Sequence, residues 1–339
     1  MLIHRIRPAF WLVLAAVFVF GPGQPAGAAS VAGLYEAETA FEGAREAGFR
    51  AALAQVLVRI TGRRDVVDRP AIEPLLDNAA AYVQQFRQPG PGRLWAAFDG
   101  VALERELARL GLPVWGAERP GTLLWIAVDA GGGQRFVVAS GDEAPAESAI
   151  REQALEAAAR RGIAVVFPLM DAEDRAKASF AEVWGGFEDS IRDASARYGV
   201  EAVLVGRLAA DDLGYGRWTF YGVDGVARWS GDVGESIDRL ADRFAARFAV
   251  MTSGAAREVR LAVSGVETIA DYGRVSRFLS SLTAVERVGV ERVEQDRVIY
   301  RIELRGGADA LGEAVRLDGL LRADETAGPE YELNYRVAR

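Results

Sequence analysis

Apolar residues recur along most of the chain at the spacings of helices and strands. A spacing of three and four runs from residue 49 to 60, just before Gly62, and a longer stripe of this kind runs from 237 to 249. Both predict amphipathic helices, the first closed by the glycine. Nearly uninterrupted apolar runs at 123–128, 163–167 and 202–208 predict strands buried on both faces.

Glycine- and proline-rich joints divide these elements into three predicted domains, 29–118, 119–254 and 255–339. The first has the order strand, helix, strand, strand, helix and is expected to be a small α+β sandwich. The second is expected to be a central α/β domain with a mixed sheet, interrupted by a long loop at 170–186. The third has the order βαββαβ, which is typical of a ferredoxin-like α+β domain.

The first 28 residues have the pattern of a secretory signal peptide. Arg5 and Arg7 precede an apolar run at 9–20, and small residues including Ala26 and Ala28 follow. The run is shorter than the roughly 18 to 20 residues that span a bilayer, so cleavage is favoured over a retained anchor. The sequence therefore predicts a periplasmic protein without a stable membrane span.

Composition narrows the possible chemistry. The only histidine is His4, inside the predicted leader, and the chain has no cysteine. These absences argue against a Ser/His/Asp or Cys/His nucleophilic site and against a zinc site with nitrogen or sulfur ligands. No cofactor or metal is expected. The net charge of −8 argues against nucleic acid as a partner.

Acidic side chains crowd together directly after the strand predicted at 163–167. Asp171, Glu173 and Asp174 lie here beside Arg175. The crevice beyond the carboxyl ends of strands is the usual ligand position in open α/β sheets, and paired carboxylates can act as general acid and base. The alternative is that these side chains cap backbone amides and face solvent.

Two aromatic motifs are candidates for binding. Trp184 and Phe187 flank a diglycine, so they form either a flexible binding lip or a plug in the core. The second motif, WGAERP at 115–120, joins the first two domains, and Trp115 is expected to pack at their seam. Glu118 and Arg119 are expected to form an ion pair at this interface. Arg119 and Arg175 are further candidates for binding.

Nearly the whole chain after the predicted leader resembles a known family. The stretches that carry the resemblance are VAGLYEA at 31–37, AQVLVRITG at 54–62, LPVW at 112–115 and the residues 168–184. They are similar to the exported proteobacterial family catalogued as domain of unknown function 2066. The stretch 198–208 is similar, more loosely, to domains of the translocation protein TolB and of the flagellar T-ring protein. These resemblances imply an envelope interaction protein.

The sequence thus favours a non-catalytic periplasmic protein that binds other envelope proteins in an assembly or scaffold role. Two alternatives stay open. One is a carboxylate-dependent hydrolase of envelope glycan, with Asp171, Glu173 and Asp174 in the catalytic roles. The other is a small-ligand receptor that uses Trp184 and Phe187. The oligomeric state and the identity of the partner do not follow from the sequence.

Overall fold

The computed structural model describes residues 33–141, 144–209, 212–222, 225–251, 256–305, 307–324 and 330–338. The predicted signal peptide at 1–28 lies outside these residues. Within them no helix combines the length and the apolar character needed to cross a membrane.

The described residues form a mixed α/β fold with ten α-helices and sixteen strands, which confirms the predicted fold class at this level. The helices are α1 (Arg45–Thr61), α2 (Glu73–Asp77), α3 (Gly100–Arg109), α4 (Pro145–Arg161), α5 (Ala172–Lys177), α6 (Phe180–Gly185), α7 (Glu188–Ser195), α8 (Val233–Phe248), α9 (Ile269–Ser281) and α10 (Ala308–Asp318). The strands are β1 (Glu36–Ala40), β2 (Val83–Gly90), β3 (Arg93–Phe98), β4 (Pro113–Val114), β5 (Gly121–Gly131), β6 (Gln134–Val137), β7 (Ala164–Val166), β8 (Ala202–Ala209), β9 (Asp212–Gly222), β10 (Gly225–Asp232), β11 (Val250–Met251), β12 (Arg257–Ser264), β13 (Val285–Val293), β14 (Arg297–Leu304), β15 (Leu321–Ala323) and β16 (Leu333–Val337).

The first sheet is antiparallel, with the strand order β1-β3-β2. Helix α1 buries the predicted apolar stripe, including Leu53, Leu57 and Ile60, in the same core as Leu94 of β3. The helix ends where Gly62 adopts a φ of 67°, as the sequence predicts. A core on one side of a three-stranded sheet results.

The second sheet is mixed and has the order β10-β9-β8-β5-β6, with β7 paired to β5 at its edge. Apolar residues of α4 and α8 pack on one face, against Leu124 and Leu204. The opposite face packs beneath α6 and α7, where Trp125 and Val205 contact Val183 and neighbouring side chains. This sheet carries two separate cores because its central strands are apolar on both sides.

Two expectations about this region are wrong. The stretch 170–186 is not a long loop, because it contains the two short helices α5 and α6. The run at 163–167 is not a fully buried strand, since only three of its residues pair with β5 and Val166 is 42% exposed. A strand that pairs on one side only leaves its other edge open.

The third sheet has the order β13-β14-β12-β16-β15, in which β12 and β16 are parallel and the other pairs antiparallel. Helices α9 and α10 pack on one face through Val275, Leu279 and Leu311. The three-residue strand β15 was not predicted and stands at one edge. The nine-residue strand β13 stands at the other.

Candidate functional site

Asp171 lies at the start of α5 and acts as its N-cap. Its carboxylate accepts hydrogen bonds from the backbone N–H groups of Glu173 and Asp174 at 3.1 and 3.0 Å. Arg197 donates to both carboxylate oxygens at 2.9 and 3.0 Å. These bonds, first of all those from Arg197, lower the pKa of Asp171 to about 2. A carboxylate held ionised in this way is unsuited to the role of a general acid.

Asp174 is fully buried below this cap. Its carboxylate accepts hydrogen bonds from the backbone N–H of Met170 at 2.9 Å, from Arg197 at 3.2 Å and from the hydroxyl of Tyr198. The same hydroxyl accepts from the N–H of Leu169 at 2.8 Å. Among the described non-glycine residues only Met170 has a positive φ, of 51°. The network therefore fixes the turn between β7 and α5.

The other two residues of the predicted cluster are more exposed than Asp174, and only Glu173 touches this network. Glu173 is about half exposed and pairs with Lys177 at 3.4 Å and with Arg197 at 3.6 Å. Arg175 is exposed on α5. Across the described residues no group of three or more His, Cys, Asp or Glu side chains is arranged to hold a metal ion. Asp174 is thus the buried carboxylate of the cluster, while Asp171 and Glu173 reach the surface and share Arg197 with it.

The Trp184 to Phe187 motif forms the end of α6 and the turn into α7. Trp184 stacks on Phe180 with ring centroids 5.4 Å apart, against the core under this helix. Gly186 ends α6 with a φ of 71°. A Cβ on Gly185 would lie 2.5 Å from the ring of Phe187, so this ring covers Gly185. Trp184 is partly buried, while Phe187 is 60% exposed beside it.

Three arginines lie next to this turn on the open part of the same sheet face. Arg207 on β8 is directly opposite Arg217 on β9, and Arg228 on β10 is opposite Thr219, two residues farther along β9. Since alternate residues of a strand share a face, the three guanidinium groups project from one side. We call Arg207, Arg217 and Arg228 the arginine terrace. Arg217 and Arg228 are exposed, and Arg207 is partly buried.

No ion pair compensates the positive charge of the arginine terrace within the described part of the chain, since none of the carboxylates there lies within ion-pair distance of the three arginines. Arg207 donates weakly to the carbonyl of Trp184 at 3.3 Å and to the hydroxyl of Thr219 at 3.4 Å, and its buried Nε has no partner. Burial, followed by the charges of Arg217 and Arg228, lowers the pKa of Arg207.

This arrangement is suited to binding an anion. Like charges directly opposite each other in a sheet are destabilising, and a bound carboxylate or phosphate would relieve the repulsion. Guanidinium groups offer paired N–H donors that match both anions. The turn at Gly186 borders the site, since a Cβ there would lie in ordinary van der Waals contact with Nη1 of Arg207, at 3.5 Å. The exposed ring of Phe187 on the next residue adds an apolar border.

The sequence alone does not reveal the arginine terrace. It predicts a short strand at 217–221, where the alternation of Arg217, Thr219 and Tyr221 marks one polar face. The partners on β8 and β10 follow only from the strand register. The sequence therefore indicates the polar face of β9, but it does not indicate that the three arginines meet.

Arg119, the other predicted binding residue, is fully buried at the joint between the first and second sheets. Its five N–H donors bond the carbonyl oxygens of Arg59, Trp115, Gly116, Arg161 and Gly162. Its guanidinium carbon lies 3.9 Å from the ring centroid of Trp115. Burial lowers its pKa to about 9. No N–H of this side chain is left for a partner.

The expected ion pair between Glu118 and Arg119 does not form. The carboxylate of Glu118 instead accepts a hydrogen bond from the hydroxyl of Thr283 at 3.1 Å. Glu118 lines a cavity of about 400 Å³ between α8 and α10, where Arg247 and Glu313 pair at 2.9 Å. Burial raises the pKa of Glu118. The cavity lies between the second and third sheets. The charges of Arg247 and Glu313 in its wall already pair with each other.

The first segment of the chain matches a family that has no assigned activity. Residues 28–116 match the family described as "Domain of unknown function (DUF8605)". The match supports an uncharacterised family for this segment, under a different name from the one that the sequence resemblance indicated. No curated protein and no solved structure matches the chain.

Proposed function

We propose that this protein is an exported, non-catalytic binding protein of the cell envelope, and that it holds an acidic region of a partner protein on the arginine terrace. The observation that carries the proposal is the convergence of Arg207, Arg217 and Arg228 on one sheet face, where none of them forms an ion pair with a carboxylate of the described residues. In a chain with a net charge of −8, such a patch favours a partner of opposite charge.

The hydrogen bonds of the acidic cluster support a binding role over a catalytic one. Asp171 and Asp174 together accept bonds from three backbone N–H groups, from Arg197 and from Tyr198. A hydrolase that used these carboxylates would have to break a network that fixes the adjacent turn. The hydrolase alternative is therefore the less favoured one.

The leader pattern at 1–28 supports export, as do the resemblances to the exported family and to periplasmic assembly domains. The proposed architecture is three domains, 29–118, 119–254 and 255–339. The third would be a ferredoxin-like module, with β15 added at the edge. The order β13-β14-β12-β16 supports that assignment.

Photo-crosslinking in living cells tests the proposal. A photoreactive amino acid in place of Phe187 is expected to capture a periplasmic protein. The same probe at Ile269, which is 90% exposed on α9, serves as the control position. Capture from position 187 should disappear when Arg217→Glu and Arg228→Glu are combined. Arg105→Glu, at an exposed arginine on α3, should leave it unchanged.

Three results would contradict the proposal. Capture that survives the double charge reversal would show that the arginine terrace is not used. Recovery of the chain in the cytoplasmic fraction, with residues 1–28 still attached, would contradict its export to the envelope. Turnover of envelope glycan that is lost in Asp171→Asn, in a protein that remains folded, would favour the hydrolase.

A further inference from the structure

The edge strand β13 has a sequence that complements itself. From residue 286 to 292 it reads Glu, Arg, Val, Gly, Val, Glu, Arg. When two copies of this strand run antiparallel about Gly289, Arg287 lies opposite Glu291 and Glu286 lies opposite Arg292. Val288 then lies opposite Val290, and Gly289 lies opposite itself. Each charge meets the opposite charge, and each apolar residue meets an apolar one.

The edge of β13 is open in the described structure. In the third sheet β13 pairs only with β14. Seven of its nine residues, from 286 to 293 with the exception of Val288, are exposed. Glu291 as a whole residue is exposed, whereas its side chain is only 21% exposed. Much of the exposed surface of this residue therefore belongs to its backbone. Unpaired backbone groups of this kind are a template for another strand.

Native edge strands are commonly protected by shortness, proline, charged side chains or bulges. Strand β13 has nine residues and no proline, and its four charged residues are two Glu and two Arg, which a strand of complementary charge can pair. Its register shifts lie between Val285 and Arg287 and between Val290 and Arg292, so a regular stretch at 287–290 is left at the centre. The opposite edge strand, β15, has only three residues. The longer edge is thus the less protected one.

Acidic and basic side chains would alternate from one sheet into the other in such a dimer. On the helix-free face, Glu303 of β14 pairs with Arg287 of β13 at 2.8 Å, and Glu291 lies 3.5 Å from Arg301. In the paired sheets a row would run Glu303 and Arg287 of one copy, then Glu291 and Arg301 of the other. Val290, which is 43% exposed, would gain an apolar neighbour.

We propose that two copies of this chain associate through antiparallel pairing of their β13 strands about Gly289, which joins two five-stranded sheets into one. The dimer has twofold symmetry, as expected for an interface built from the same patch on both copies. This inference concerns self-association and does not depend on the arginine terrace, which lies on a different sheet.

Cysteine crosslinking tests the register, because the chain contains no cysteine of its own. In a dimer of the purified protein, Gly289→Cys places the thiols of the two copies directly opposite each other, within reach of a disulfide bond. The Cβ position of Gly289 is open, since its nearest neighbour is the carbonyl oxygen of Arg301 at 3.7 Å. Oxidation is expected to yield a covalent dimer.

Two further variants separate the proposed register from random collision. Arg287→Cys and Glu291→Cys should crosslink with each other when mixed. Neither should crosslink with itself, because like positions are four residues, or about 13 Å, apart along the strands. Crosslinking of Arg287→Cys alone to the same extent as the mixture would overturn the proposal.

Charge exchange gives a test without crosslinking. Arg287→Glu should weaken the dimer about tenfold in sedimentation equilibrium, because it places like charges opposite each other twice. Adding Glu291→Arg should restore the affinity to within about threefold of the original value. A protein that stays monomeric at every concentration, or a double variant no better than the single one, would overturn the proposal.

Discussion

The acidic cluster and the arginine terrace both lie on the face of the second sheet that α5 to α7 partly cover, yet their charges are treated in opposite ways. Asp171 and Asp174 share Arg197, Asp171 accepts hydrogen bonds from two backbone N–H groups and Asp174 from one, and the hydroxyl of Tyr198 completes the network. Arg207, Arg217 and Arg228 lie side by side without an ion pair to a described carboxylate. Charges that are satisfied internally fix the fold, whereas charges left unsatisfied are available to a partner.

The largest effect on stability is expected from removal of the buried carboxylate of Asp174. Asp174→Ala should lower the free energy of unfolding by about 3 kcal/mol, because the buried N–H and O–H groups that donate to this carboxylate would lose their acceptor. Urea unfolding measures the change. Glu173→Ala, at a half-exposed neighbour, should change stability by less than about 0.5 kcal/mol. A loss below about 1 kcal/mol in Asp174→Ala would show that the network is not structural.

Acid titration distinguishes Asp171 from a solvated carboxylate. Since its pKa falls from 3.8 to about 2 in the folded protein, its stabilisation is present above about pH 4 and is lost as the pH falls towards 2. Asp171→Asn should therefore flatten the dependence of the unfolding midpoint on pH in this range. Asp189→Asn, at an exposed position of α7, is the matched control. Equal slopes in the two variants would argue against a special role for Asp171.

The smallest effect is expected at the arginine terrace, and it has the opposite sign. Arg217→Thr should raise stability by about 0.5 kcal/mol, because it removes a like charge from directly opposite Arg207. The gain should shrink as salt is added. Arg93→Thr on β3, which breaks an ion pair with Glu38, should bring no gain. Destabilisation by Arg217→Thr would mean that the three arginines are not in electrostatic conflict.

Periodicity was sufficient for the long elements. The stripe at 237–249 and the helix that ends at Gly62 were predicted because each carries many turns of one repeating pattern. Helices α5 and α6 were missed because six residues hold fewer than two turns. Their signals are local caps, Asp171 for one and the Ser179 and Glu182 capping box for the other.

The candidate site depended on information that a single strand does not contain. Asp171 and Asp174 are close in sequence, so their proximity could be anticipated. Arg207 and Arg217 meet only because β8 and β9 pair in one register, and a shift of one residue would place them on opposite faces. Arg119 was expected to pair with an adjacent acid. It binds carbonyl oxygens instead, and three of these five, those of Arg59, Arg161 and Gly162, belong to residues far away in the sequence.

Arg119 also has a consequence for how the molecule melts. One planar cation satisfies five carbonyl oxygens drawn from residues 59 to 162, and these belong to two different hydrophobic cores. Releasing it would leave acceptors without donors in both halves at once, a cost that neither half can avoid alone. The two halves are thereby bound into one cooperative unit. Lysine, which has three donors and no plane to stack on Trp115, could not take its place.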